Sequence, residues 1–170
     1  MEAAGTLVRL ALDHNFPTPI LSVLGQWVKE ATLVPIRSID ERLEDLPDHR
    51  LVASLAARGW TGLVTCDHHM LDLPRVLAAV HQTRFKVVAI EQAGDDPLVA
   101  TGALLLELPR IVKKMGPSDA QVFRLRPRAP TPVKPWDLLG ALASRKRKSI
   151  EELFEAARLS EAELKDPMGR

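Results

Sequence analysis

Short apolar runs that alternate with longer stretches of helical periodicity constrain the fold of this chain more than any other feature. Runs this short, without polar alternation, are typical of strands buried in a parallel sheet. They occupy residues 6–12, 31–36, 63–65, 85–90 and 120–125. Strands that alternate with helices predict a three-layer α/β domain, in which helices flank a mostly parallel central sheet.

Helical periodicity and terminal signals place helices between these runs. The predicted helices cover residues 20–28, 48–59, 73–82 and 97–115. Asp48 is expected at the N-cap or in the first turn of the second of them, and Gly59 is a typical C-terminal signal. Pro35 predicts that the second strand lies at the sheet edge or ends there. We expect a loop or short helical turn at residues 40–46 and a loop at residues 67–69.

The composition changes near residue 126, so we predict a domain over residues 1–126 and a tail over residues 127–170. Residues 126–135 are rich in proline and basic side chains, which is typical of an extended linker. Ser149 and Glu152 then form a capping-box pattern that opens an amphipathic helix reaching residue 165. We expect this C-terminal helical tail to become ordered partly against a partner.

Composition excludes several classes of protein. Cys66 is the only cysteine, so neither a disulfide framework nor a cysteine-based zinc site is possible. A formal net charge of +1 and 4% aromatic residues mean that nucleic-acid binding would need locally segregated charge. No apolar run approaches the ~20 residues that span a bilayer. We see no signal peptide, so we expect a cytoplasmic protein without a membrane partner.

Carboxylates stand where the predicted strands end. Asp13 ends the first run, Asp67 follows the third, and Asp48 opens the helix that leads into it. Ligands of open α/β sheets bind beyond the carboxyl ends of the strands, so these side chains are expected in one crevice. Clustered carboxylates repel one another, and Mg²⁺ or Mn²⁺ is the simplest compensation. Glu44 and Asp45, just upstream of Asp48, are further candidates.

In order and spacing, three motifs of the chain resemble the PIN-domain family, and specifically its compact prokaryotic PIN-like branch. They are Leu10-Ala11-Leu12-Asp13, Asp48-His49-Arg50-Leu51-Val52-Ala53 and Val64-Thr65-Cys66-Asp67. The match covers roughly the first two thirds of the chain and leaves out the tail. The resemblance implies a Mg²⁺- or Mn²⁺-dependent endoribonuclease. Its metal ligands would be Asp13, Asp48 and Asp67, and Glu44 or Asp45 would complete the acidic pocket.

The resemblance also implies partners. Many small stand-alone members of the family are toxins of type II toxin–antitoxin modules that cleave RNA and are silenced by a cognate antitoxin. Relatives often form homodimers. The chemistry agrees with the residues, because a divalent cation both activates water at neutral pH and neutralises charge on a phosphate.

The sequence departs from the family pattern at several positions. His69 and Met70 replace an acidic residue and an aromatic residue, and His14 replaces an acidic or amide residue. His69, His68 or His14 is therefore a candidate for proton transfer, phosphate contact or metal binding. Adjacent histidines in a strand or loop point in different directions, so we do not expect His68 and His69 to chelate one ion together.

Each candidate also has a purely structural interpretation. Asp13 could cap the following turn, Asp48 could cap its helix, and the run with Glu44 and Asp45 could be a solvated face. The Thr65 hydroxyl could serve a phosphate or Asp67, or Thr65 could simply be a good strand residue. Cys66 is expected to be a small buried hydrophobic residue.

Two other functions compete with the nuclease. A phosphoryl-transfer receiver domain matches poorly, because His14 follows Asp13 where an acidic pair is needed and Lys86 lies inside a strand. A non-catalytic RNA- or protein-binding module is the stronger rival, with His69 in place of a carboxylate. Basic side chains that could form an RNA-binding track are the cluster at residues 145–148 together with Arg124, Arg126 and Arg128.

Overall fold

The computed structural model describes residues 7–14, 16, 28–29, 31–93, 96–127 and 132–160. The chain divides into two compact units, residues 1–128 and 129–170. The helix predicted at residues 20–28 falls outside the described residues, except for Val28, as do Asn15, Arg128 and Leu164.

A five-stranded parallel sheet forms the centre of the first unit. Its strands are β1 (Val8–Leu12), β2 (Ala31–Pro35), β3 (Gly62–Thr65), β4 (Lys86–Ile90) and β5 (Gln121–Leu125). Their order in the sheet is β2-β1-β3-β4-β5. The prediction of an α/β fold is confirmed, and every described strand pair is parallel. Pro35 is the last residue of an edge strand, so both parts of that prediction are correct.

Helices connect these strands much as their periodicity predicts. The described α-helices of this unit are α1 (Ile36–Ile39), α2 (Asp48–Ala57), α3 (Pro74–Thr83) and α4 (Pro97–Lys114). Two 3₁₀ helices, Glu41–Leu43 and His68–Asp72, accompany them. The expectation of a loop at residues 67–69 is wrong, because Asp67 caps the second 3₁₀ helix. Among the described residues, no helix is both long and apolar enough to cross a membrane.

The alternation of side chains along the strands divides the core into two halves. On one face of the sheet, Leu12 and Val88 pack with Leu104 and Leu108 of α4. Residues adjacent to these in the strands point to the other face, where Leu63 and Val87 pack with α2 and α3. Each fully buried side chain of this size contributes about 1.5–3 kcal/mol, so both faces must stay covered. Helices on both faces confirm the three-layer arrangement.

Gly62 lies where β3 is squeezed between its two neighbours. It is in register with Leu10 of β1 and Lys86 of β4. A Cβ atom at this position would lie 2.7 Å from the backbone oxygen of Lys86. A side chain here would therefore push β4 away from β3, near the amino end of both strands.

The described part of the second unit contains two helices, α5 (Pro135–Lys146) and α6 (Ile150–Ala157). The predicted capping box is confirmed, since the Ser149 and Glu152 side chains exchange hydrogen bonds with each other's backbone N–H. Helix α6 ends at Ala157, which is shorter than predicted. Trp136 and Phe154 pack edge to face, with ring centroids 5.3 Å apart.

The basic cluster at residues 145–148 is exposed, and most of it belongs to the end of a helix. Arg145 and Lys146 form the last turn of α5, and Arg147 is its left-handed C-cap. Cations are favoured there because the helix dipole places partial negative charge at the C-terminus.

Candidate functional site

The acidic candidates lie at the carboxyl edge of the sheet. Asp13 follows β1 directly and Asp67 follows β3 after one residue, and these two strands are neighbours. Asp48 is the first residue of α2. The N-cap of that helix is Pro47, so Asp48 occupies the first turn, which is the second of its two predicted positions, and does not cap the helix. Among the described residues, none donates a hydrogen bond to the Asp48 carboxylate.

Asp13 is the most firmly held of these carboxylates. Its side chain is only 10% exposed. Oδ2 accepts a hydrogen bond from the Thr65 hydroxyl at 2.7 Å. Oδ1 accepts one from the backbone N–H of His14 at 2.8 Å and lies 2.9 Å from Nδ1 of the same histidine. Asp13 thus caps the following turn through Oδ1, which accepts from the backbone N–H of His14, as one interpretation predicted. Its other oxygen, Oδ2, is hydrogen-bonded to Thr65 of the neighbouring strand.

Thr65 joins the ends of the two strands. It is fully buried, and its hydroxyl also accepts a hydrogen bond from the backbone N–H of Asp67 at 2.9 Å. The hydroxyl therefore donates to Asp13 instead of the expected Asp67 side chain, and it receives from the Asp67 backbone. One side chain thereby fixes both Asp13 and the start of the segment that carries Asp67.

The Asp67 carboxylate is oriented by the 3₁₀ helix that it caps. Its Oδ1 accepts a hydrogen bond from the backbone N–H of His69 at 3.0 Å. The expectation that His68 and His69 point apart is wrong, because the 3₁₀ helix places their ring centroids 4.2 Å apart. The rings face each other at a tilt of 33°, and Nδ1 of His69 lies 3.5 Å from the exposed Asp72 carboxylate.

The electrostatics tie the three aspartates together. Burial raises the pKa of Asp48, and the negative charges of Asp67 and then Asp13 raise it further. The charges of His49 and His14 act in the opposite direction. The Asp48 carboxyl thus lies close enough to the other two for their charges to oppose its ionisation. Burial, helped by the charge of Asp13, also raises the pKa of the Cys66 thiol, which packs against the core but is only partly buried, less than expected.

Glu44 and Asp45 stand apart from this cluster. Both are exposed in the turn that follows the first 3₁₀ helix. Their side chains form no hydrogen bond or ion pair with the described residues. The nearby Asp40 is paired instead, with Arg42 at 2.7 Å and Arg58 at 2.8 Å. The solvated-face interpretation describes Glu44 and Asp45 best.

The donor set has the chemistry of a magnesium or manganese site, since carboxylate oxygens are the ligands that these hard cations prefer. The hydrogen bonds to Asp13 and Asp67 leave lone pairs on the same oxygens. As placed, however, no group of three or more His, Cys, Asp or Glu side chains within the described segments encloses a point where an ion could bind. The residue types fit a divalent cation, and the side-chain positions do not close around one.

A fourth carboxylate at this edge was missed by the sequence argument. Glu91 follows β4 directly and is 5% exposed. Its two carboxylate oxygens accept hydrogen bonds from Nε of Arg124 and Nε of Arg126, and these bonds hold the pKa of Glu91 below its usual range. The strand-end rule that selected Asp13 would also have selected Glu91.

Opposite charges are therefore distributed unevenly along the edge. Glu91 is matched by two guanidinium groups, whereas no Lys or Arg in the described segments forms an ion pair with Asp13, Asp48 or Asp67. Such a group of partly buried carboxylates favours binding of a cation. Comparison of the chain with models of protein families, with curated proteins and with solved structures found no match.

Proposed function

We propose that this protein is a metal-dependent endoribonuclease that hydrolyses RNA phosphodiester bonds with Mg²⁺ or Mn²⁺ at a PIN-like acidic site. The observation that carries the proposal is the placement of Asp13, Asp48 and Asp67 at one edge of the sheet, where no Lys or Arg of the described segments forms an ion pair with them. Burial and the charges of Asp67 and Asp13 raise the pKa of Asp48. Repulsion of this kind costs stability, and perturbed carboxylates are concentrated at functional sites.

In this proposal Asp13, Asp48 and Asp67 hold the metal. When bound, the cation supplies an activated water and neutralises charge on the phosphate. Thr65 keeps Asp13 in place through its 2.7 Å hydrogen bond. The backbone N–H of His69 orients Asp67. Supporting hydrogen bonds of this kind typically account for about 10–100-fold in metal affinity or activity.

His14 is a better candidate than His69 for moving a proton. Its Nδ1 lies 2.9 Å from Oδ1 of Asp13, so Nε2 is the ring nitrogen left for exchange with the leaving group. The His14 ring is 54% exposed and can be reached by substrate. His69 is more exposed, at 78%, and its Nδ1 faces Asp72.

The proposal extends to the partners of the protein. The resemblance to stand-alone PIN-like toxins supports a cognate antitoxin that blocks the site, a cytoplasmic place of action and a possible homodimer. A small neighbouring open reading frame whose product binds the chain and stops cleavage would support the toxin assignment. A gene without such a neighbour would contradict it.

The test is cleavage of a mixed RNA pool by the purified full chain with Mg²⁺, with Mn²⁺ and with EDTA. We expect cleavage only with metal. Asp13→Asn and Asp67→Asn should each lower it on the order of 100-fold or more, since each replaces a negatively charged ligand by a neutral amide. Asp137→Asn, an exposed aspartate in α5, is the matched control and should cleave at the wild-type rate.

A second readout does not depend on activity. Mn²⁺ should raise the melting temperature of the wild type and of Asp137→Asn, because a ligand that binds only the folded state stabilises it. It should leave that of Asp67→Asn unchanged. Cleavage that survives both Asp13→Asn and Asp67→Asn would rule out this site.

The rival is a non-catalytic RNA- or protein-binding module with a degenerate site. It is favoured by the absence, among the described residues, of a side-chain group that encloses an ion position, and by His69 at a place where relatives carry a carboxylate. Tight RNA binding by the wild type, with no metal-dependent product, would decide for the module.

A further inference from the structure

A buried carboxylate holds two exposed guanidinium groups at the far side of the sheet edge. The Glu91 side chain is 5% exposed, whereas the side chains of Arg124 and Arg126 are 53% and 61% exposed. Each arginine contacts Glu91 through Nε. The terminal nitrogens of both guanidinium groups have no other partner among the described residues. The cluster therefore has an excess of positive charge and presents it to solvent.

The register of the sheet relates this cluster to the acidic site. Thr65, which donates to Asp13, is paired with Ala89 of β4, and Ala89 is paired with Arg124 of β5. Residues in register point to the same face of a sheet. At about 4.8 Å per strand, the Cα atoms of Thr65 and Arg124 are about 10 Å apart. That distance corresponds to roughly three nucleotides of a stacked strand at ~3.4 Å each.

The surface next to the arginines can accommodate part of a nucleotide. Because β5 is an edge strand, Arg124 and Arg126 also border an open hollow of about 500 Å³, within the usual size range of ligand pockets. Ala103 and Leu106 of α4 give it an apolar wall. The one carboxylate on that wall, Glu107, lies 3.3 Å from Arg110, which offsets its charge.

A polyanion approaching three uncompensated aspartates needs attraction from elsewhere on the surface. We propose that Arg124 and Arg126, anchored on Glu91, bind phosphate groups of the RNA strand a few nucleotides from the bond cleaved at the acidic site. This inference rests on the proposed ribonuclease function. Glu91 acts as a positioning residue, since it holds each guanidinium at Nε and leaves the terminal N–H groups directed to the ligand.

A purely structural role, in which the three side chains only join β4 to β5, makes a different prediction. Loss of a structural link lowers the melting temperature and leaves the salt dependence of RNA binding unchanged. Loss of a phosphate contact reduces the number of counterions released on binding. The slope of log Kd against log salt concentration therefore separates the two roles.

The experiment measures binding of a labelled single-stranded oligouridine to the full chain by fluorescence anisotropy. EDTA prevents cleavage, and KCl varies from roughly 50 to 200 mM. The double variant Arg124→Gln/Arg126→Gln is compared with Arg124→Lys/Arg126→Lys. The matched control is Arg42→Gln/Arg58→Gln. This variant removes the two arginines that form ion pairs with Asp40, in an arrangement similar to that around Glu91.

We expect the glutamine pair at Arg124 and Arg126 to lower the magnitude of the salt slope by about 1.4, at ~0.7 per phosphate contact with a single strand. The lysine pair should keep most of the slope because it keeps the charge. The control should keep the wild-type slope. A wild-type slope in the glutamine pair, with or without a lower melting temperature, would overturn the inference.

The same assay distinguishes failure of the inference from failure of the proposed function. If the wild type cleaves RNA and the glutamine pair keeps its slope, only the inference fails. If the wild type binds oligouridine but never cleaves RNA with metal, the proposed function fails, and a reduced slope would still support the phosphate contacts. If the wild type binds no oligouridine in EDTA, the inference is overturned, and the cleavage assay with metal alone decides the proposed function.

Discussion

Replacing Thr65 by valine tests whether one buried hydroxyl organises the acidic site. Valine has nearly the same shape as threonine, so the change removes the hydroxyl with little effect on the packing of the buried strand. Two hydrogen bonds are lost, the 2.7 Å bond to Oδ2 of Asp13 and the 2.9 Å bond from the backbone N–H of Asp67. Among the described residues, no other group donates to Oδ2 of Asp13.

The size of the effect follows from these two contacts. A hydrogen bond to a carboxylate contributes about 1.5–3 kcal/mol, and one to a backbone amide about 0.5–1.5 kcal/mol. The extra buried methyl group offsets up to ~0.8 kcal/mol. The net loss of unfolding free energy is therefore about 1–4 kcal/mol. For a chain of this length each 1 kcal/mol changes the melting temperature by about 2–4 °C, so we expect a decrease of roughly 2–16 °C.

The assay is thermal unfolding followed by circular dichroism, with Thr65→Ser as the matched control. Serine keeps the hydroxyl and loses a buried methyl group, which costs about 0.5–1.5 kcal/mol. The valine variant should therefore melt below the serine variant. In the RNA assay, valine should lower cleavage about 10–100-fold, because it releases the support of Asp13, whereas serine should not. A valine variant that melts with or above the serine variant would refute this account of Thr65.

Two further predictions concern the sheet and the charge cluster. Gly62→Ala should destabilise the fold by about 1–3 kcal/mol in chemical denaturation, since its Cβ would lie 2.7 Å from the Lys86 backbone oxygen. The control is Gly102→Ala, which should be neutral or stabilising because no atom lies within 4 Å of its Cβ. Asp48→Asn should raise the melting temperature at pH 7. Because the pKa of Asp48 is raised in the folded state, the contribution of this group to stability is greatest below its ordinary pKa of 3.8 and is lost as the pH rises through the raised pKa. The difference between Asp48→Asn and the wild type should shrink as pH falls to that ordinary value, and a constant difference would contradict the electrostatic cause.

The scaffold could be predicted from the sequence because its signals are local. Apolar runs between helical stretches predicted each described strand to within a residue or two. Terminal signals such as Gly59, which has a positive φ of 76°, placed the end of α2 correctly. These features depend on the preferences of neighbouring residues, which a single sequence contains.

Contacts between strands were harder to predict. The Thr65 hydroxyl donates to Asp13 and not to the Asp67 side chain, because the register of β1 against β3 brings Asp13 next to it. The 3₁₀ helix at His68–Asp72 was missed since its signal, a single capping aspartate, also fits a loop. The orientation of the two histidines was then predicted wrongly as a consequence.

Glu91 shows why a carboxylate at a strand end cannot be interpreted without its neighbours. By position it is equivalent to Asp13, yet two arginines from the adjacent strand compensate it and keep its pKa low. Asp40 has two arginines as well, and its pKa is also lowered.

Asp48 differs from both in the direction of its shift. No arginine or lysine of the described segments pairs with it, and the charges of Asp67 and Asp13 raise its pKa. The same edge therefore contains one carboxylate whose charge the protein neutralises internally and three that it leaves without a strong internal cation. Pairing with arginine separates Glu91 and Asp40 from Asp13, Asp48 and Asp67, and the pKa shifts of Glu91, Asp40 and Asp48 differ in direction accordingly. The metal-binding test on Asp67 and the salt-slope test on Arg124 and Arg126 therefore probe the carboxylates without an arginine partner and the carboxylate with two.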